Sequence, residues 1–123
     1  MTRAKNVLVV EDDDDLRRLY ARTLTLSGYQ VKEARGGFEA LRFIDSEHPD
    51  AIVLDLMMPG VDGFAVLNEL AGHAHTRQIP IVVVTGVSGD LHWLDTACLL
   101  KKPATPERVV QAVRQCLATG TAL

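Results

Sequence analysis

Residues 6–10 (NVLVV) form a continuous β-branched run, the pattern of a strand buried on both faces. Residues 14–27 then place Leu16, Leu19, Tyr20, Thr23, Leu24 and Leu26 mostly three or four apart, with Gly28 as a stop, which predicts a helix. Residues 29–34 (YQVKEA) alternate apolar and polar, as an edge strand with one wet face does. After Gly36-Gly37, the positions of Phe38, Ala40, Leu41 and Ile44 predict a short amphipathic helix. It ends near His48-Pro49, because a residue before proline is pushed out of the helical region. Residues 51–54 (AIVL) read as a central strand. Residues 63–71, with Phe64, Val66, Leu67 and Leu70, read as a helix closed near Gly72. Residues 80–84 (PIVVV) make a fourth strand with proline at its first position, and residues 97–100 (ACLL) a fifth. Thr105-Pro106-Glu107 supplies an N-cap, an N1 proline and a first-turn acid for a last helix whose buried stripe is Val109, Val110, Val113, Cys116 and Leu117. The alternation is that of βαβ units, a (βα)5 chain with a parallel sheet covered by helices on both faces.

Composition narrows the function classes. A chain of 123 residues with 47% hydrophobic and 24% charged positions fits one folded domain with a buried core. A formal net charge of -3, with scattered Lys and Arg, argues against a nucleic-acid surface. The N-terminal apolar run is too short for a signal peptide, and no run reaches membrane-spanning length, so a cytoplasmic protein without membrane contact is expected. Cys98 and Cys116 have neither the number nor the spacing of a disulfide framework or zinc site and are expected to be buried free thiols. His48, His73, His75 and His92 are scattered through loops and lack helical metal spacing, although His73-Ala-His75 is a pair open to adventitious metal.

The chemistry lies at the strand ends. Ligands of an open parallel sheet bind outside the carboxyl ends of its strands. There the chain places Glu11 and Asp12 after the first strand, Asp55 after the third, Thr85 after the fourth and Lys101-Lys102-Pro103 after the fifth. Taken singly, each has a bland explanation as a turn former or a solvated charge. Together they put three carboxylates, a hydroxyl and an ammonium on one rim. Clustered carboxylates raise one another's pKa unless a cation neutralises them, and a few oxygen ligands suit Mg²⁺. The hydroxyl and the ammonium beside such a cation would cradle a phosphoryl group. Asp13, Asp14 and Asp15, which extend the acidic run, fit the positive end of the first helix instead.

The strings VLVVEDD (7–13), IVLDLMMPGVDG (52–63), VVTG (83–86) and KKP (101–103) resemble the receiver domain of two-component response regulators, in order and over residues 5 to 118. The resemblance implies a doubly wound, flavodoxin-like three-layer α/β sandwich with strand order 2-1-3-4-5. It implies Asp55 as phosphoacceptor, fed by a histidine kinase or histidine phosphotransfer protein. It also implies Mg²⁺ or Mn²⁺ held by Glu11, Asp12, Asp55 and the backbone carbonyl of Met57, with Thr85 and Lys102 on the phosphoryl oxygens. Such a domain is a phosphoacceptor in signalling rather than an enzyme, self-catalysed transfer and autodephosphorylation aside. Its partners would be the phosphoryl donor and an unknown downstream protein, with no nucleic acid bound by this chain.

Three departures are visible. The interval from Thr85 to Lys102 is about five residues shorter than in most members, ~1.4 turns of helix, so the helix after the fourth strand, within residues 88–95, is expected to be short or absent. Leu99 stands where an aromatic residue usual in the family would be, and Ala104 where a phenylalanine commonly follows Lys-Pro. All three fall on the face through which many members signal, which puts the usual readout in question. Met57 and Val87 flank the expected route of a hydrolytic water and offer it no hydrogen bond, which suggests a long-lived aspartyl phosphate. Competing readings are a receiver excised from a hybrid histidine kinase or longer regulator, a pseudo-receiver that binds partners independently of phosphorylation, and an aspartyl phosphatase. The phosphatase reading lacks the second Asp two residues after the nucleophile, where Met57 stands.

Overall fold

The computed structural model describes residues 3–86 and 98–119. Five parallel strands, β1 (Asn6–Val10), β2 (Gln30–Ala34), β3 (Ala51–Leu54), β4 (Ile81–Thr85) and β5 (Leu99–Lys101), form one sheet in the order β2-β1-β3-β4-β5. Four helices are present among the described residues: α1 (Asp14–Leu26), α2 (Gly37–Glu47), α3 (Gly63–Ala71) and α4 (Pro106–Thr119). The short helix expected within residues 88–95, with Leu91, Trp93 and Leu94, lies outside the described residues, as do Val87 and His92.

The pleat divides the core into two layers. Leu8, Val10, Ile52, Leu54 and Val83 face α2 and α3, where Ile44, Val66 and Leu70 meet them. Val7, Val9, Val53, Val82 and Val84 face the other layer, built from Tyr20 and Leu24 of α1 and Val109, Val113 and Cys116 of α4. The three central strands are thus buried on both sides, which is why they read as unbroken apolar runs. The edge strand β2 buries only Ala34, and because Val31 packs into the opposite layer from Ala34, the single wet face expected from its sequence is not kept.

Helix ends follow local chemistry. Asp13 caps α1, its Oδ1 accepting from the amides of Asp15 at 3.0 Å and Leu16 at 3.2 Å, and Asp62 caps α3 through Ala65 at 3.0 Å. Thr105 Oγ1 accepts from Arg108 N at 3.2 Å ahead of α4. Gly28, at φ 102°, reverses the chain after α1 in a conformation that side chains disfavour.

The structure corrects two expectations about the core. The buried face of α1 is Arg17, Tyr20, Ala21 and Leu24, whereas Leu19 and Leu26 are exposed, as is Phe38 on α2. The apolar stripe in the sequence is wider than the surface the sheet offers it. Cys98 and Cys116 are joined by a disulfide and are not free thiols. Both lie in the layer under α1 and α4, where the crossover from β5 brings together residues that sequence spacing alone does not pair.

Candidate functional site

Glu11, Asp55 and Lys102 each stand one residue beyond the end of a strand, and each is held there by one more rung of the ladder. Glu11 N donates to Ala34 O at 3.1 Å, Asp55 N to Val10 O at 3.1 Å, and Lys102 N to Thr85 O at 2.9 Å. Neighbouring strands therefore fix the backbone of all three where parallel pairing stops.

Their side chains converge. Lys102 Nζ lies 2.6 Å from Glu11 Oε1 and 3.2 Å from Asp55 Oδ2. Glu11 and Asp55 are 3% and 4% exposed, and Lys102 is partly open to solvent. Burial pushes Glu11 up to about 7, the hydrogen bond from Lys102 and the Asp13 amide lowering it only in part, while the Asp55 charge adds to the rise. Burial also works against the Lys102 ammonium, but its hydrogen bond to Glu11 and the charge of Asp55 outweigh this, so its pKa is raised.

Asp12 is exposed and completes the acidic set. Ligand oxygens of Glu11, Asp12 and Asp55 all lie within 4.8 Å of one another. Two buried carboxylates and one exposed one, all oxygen donors, fit a hard divalent cation that retains water on its open side. Met57 is exposed, and its amide donates to Asp55 Oδ1 at 3.1 Å, which turns the loop back over the carboxylate. Thr85 is fully buried at the end of β4, in register with Lys101. At Gly86 an added Cβ would make only ordinary contact with Lys102 Cβ, at 3.9 Å, so the protein's own packing leaves room there.

Gly63 is demanded by close approach. A Cβ at this first residue of α3 would run into the carbonyl of Asp55 and the Cα of Leu56, and Gly63 N donates to Leu56 O at 3.1 Å. The loop that leaves Asp55 is thereby closed at its base.

Arg17 was not legible as part of this region. Its side chain is 4% exposed, donates to the Glu11 carbonyl at 3.2 Å and to Glu33 Oε1 at 3.0 Å, and pairs with Asp14 at 2.7 Å. It shares a face with Tyr20, Ala21 and Leu24 at i, i+3, i+4 and i+7, the signal that would have placed it inward. Tyr20 OH in turn donates to Ala104 O at 3.0 Å, tying α1 to the segment after Pro103.

This arrangement, three carboxylates and a lysine at the carboxyl end of a 2-1-3-4-5 parallel sheet, is that of doubly wound α/β domains of the receiver class. The chain belongs to the response regulator receiver domain family, whose model matches residues 7–114. It is 40% identical over 116 residues to the response regulator MprA of Mycobacterium tuberculosis, covering 90% of this chain and 50% of that protein. The chain spans about half the length of these curated relatives. Among solved structures it superposes on the signal receiver domain of a signal transduction histidine kinase from Syntrophus aciditrophicus with a TM-score of 0.86. That pair shares 30% identity and covers 94% of this chain and 92% of the other. A CheY-like receiver domain from Methanospirillum hungatei, at 20% identity, shares the fold with a TM-score of 0.87 over 96% of this chain and 97% of that one. No helix among the described residues is long and apolar enough to cross a membrane.

Proposed function

We propose that Asp55 accepts a phosphoryl group from the phosphohistidine of a histidine kinase or histidine phosphotransfer protein, and that the resulting aspartyl phosphate signals through protein contacts. The observation that carries this reading is the Lys102 ammonium bridging Glu11 and Asp55, beside an acidic set able to take a divalent cation. An Asp55 carboxylate oxygen forms the new bond to phosphorus as the donor's P–N bond breaks, the electron pair leaving with the imidazole. Lys102, already in contact with Asp55, then pairs with a phosphoryl oxygen, and the Thr85 hydroxyl donates to another. Glu11, Asp12, Asp55 and the Met57 carbonyl would hold Mg²⁺ or Mn²⁺, which when bound offsets the repulsion between these carboxylates and an anionic donor. The downstream contact is to a separate protein, or to another part of a longer regulator, since the relatives extend well beyond the matched region.

The test is incubation with Mg²⁺ and acetyl phosphate, followed by intact mass. One phosphoryl adduct is expected, absent in Asp55→Asn and without added divalent cation. An adduct that survives Asp55→Asn would overturn the assignment.

A further inference from the structure

The rim opposite the acidic site carries histidines that the phosphoacceptor chemistry does not use. His48 is the C-cap of α2, just before β3, and His73 and His75 lie in the turn between α3 and β4. Because β3 and β4 are parallel neighbours, both connections arrive at the amino ends of adjacent strands. Histidines scattered in sequence are thus gathered: ring centroids are 6.4 Å apart for His48 and His75 and 5.9 Å apart for His73 and His75. Three of the four histidines scattered along the sequence are thus neighbours in space, and His92 lies outside the described residues.

Two further features point the same way. His48 occupies the left-handed region, φ 49° and ψ 70°, at a helix-ending position where glycine or asparagine is usual. His73 Nε2 lies 2.8 Å from Glu69 Oε1, one helical turn earlier. A carboxylate on one ring nitrogen fixes the tautomer and leaves the other nitrogen's lone pair for a metal. Asp45 joins Glu69 and His73 around a cleft between the ends of α2 and α3, adding negative charge that favours a cation.

We propose that His48, His73 and His75 form a site for a divalent transition metal of the zinc class, with Glu69 orienting His73. Two imidazoles on one zinc, at Zn–N of about 2.0–2.1 Å, hold their centroids roughly 5 Å apart. The observed separations are wider, and with His73 held by Glu69, rotation of the exposed His48 and His75 side chains toward it would close the set. Among the described residues only Glu11, Asp12 and Asp55 already have ligand atoms within 4.8 Å of one another. The two sites differ in kind, since oxygen donors select Mg²⁺ and imidazoles select zinc-like ions. The histidine site is independent of the phosphoacceptor reading.

Zinc chloride titrated into the purified chain in excess Mg²⁺ and a non-chelating buffer, followed by calorimetry and the histidine ring NMR signals, tests this. One zinc per chain is expected, with the His48, His73 and His75 signals moving together. His48→Asn, which suits the left-handed backbone, and His75→Ala should each weaken binding about tenfold or more, and Glu69→Gln roughly tenfold. Circular dichroism checks that each variant is folded. The proposal is overturned by an absence of saturable binding, by affinity unchanged in His48→Asn and His75→Ala, or by one zinc shared between two chains in a dimer.

Discussion

Glu11 sits between opposing influences, and burial prevails, raising it to about 7 from an ordinary value of 4.5. A carboxyl raised on folding contributes stability that is complete below its unfolded pKa and is lost as pH rises through the folded one. Without divalent cation, the chain should therefore lose stability between about pH 4.5 and 7, and Glu11→Gln should flatten that slope. Urea denaturation in chelator across this range measures it, and a slope unchanged in Glu11→Gln would refute the assignment. Metal ligation requires the ionised carboxylate, so added Mg²⁺ should remove the dependence and release protons on binding. Glu11, Asp12, Asp55, Thr85 and Lys102 were visible in sequence because strand ends in a parallel sheet are marked by abrupt changes from apolar to polar. Arg17 was not, since a charge beside Leu16 and Leu19 reads as solvated until the true face of α1 is known.

At the level of elements, the first residue of α3 rests directly on the backbone that presents Asp55, the proposed phosphoacceptor. Gly63→Ala drives a methyl into the Asp55 carbonyl and the Leu56 Cα, neither of which is a flexible side-chain end. Overpacking of this kind costs about 1–3 kcal/mol. A lower urea midpoint with unchanged m-value is expected, together with reduced phosphoryl acceptance. Wild-type behaviour in both would show that the α3 start yields freely. The crossover into α4 supports a second expectation. Chain purified without reductant and alkylated under denaturing conditions should take no label on Cys98 or Cys116 until it is reduced, and two labels afterwards. Among the described residues element order and type were readable, but β5 was harder: it runs Leu99–Lys101, starting two residues later than its apolar letters suggest, and is only partly buried. Its placement depends on pairing with β4 rather than on its own hydrophobicity.

For the molecule as a whole, the sheet is both scaffold and clamp. Tyr20 on α1 reaches Ala104, Arg17 reaches the Glu11 carbonyl, and the strand register sets Lys102 beside Thr85. These long-range ties were beyond sequence periodicity, which assigns faces but not partners. The rungs that seat Glu11, Asp55 and Lys102 use those residues' own amide protons, donated to Ala34, Val10 and Thr85. Amide hydrogen exchange at the Glu11 and Asp55 positions should then proceed only through opening of the central sheet, at rates tracking global unfolding, while Met57 in the loop exchanges sooner. Residues that look like the reactive edge of the protein would be among its slowest clocks, and fast exchange at Asp55 would show the rung to be locally breakable.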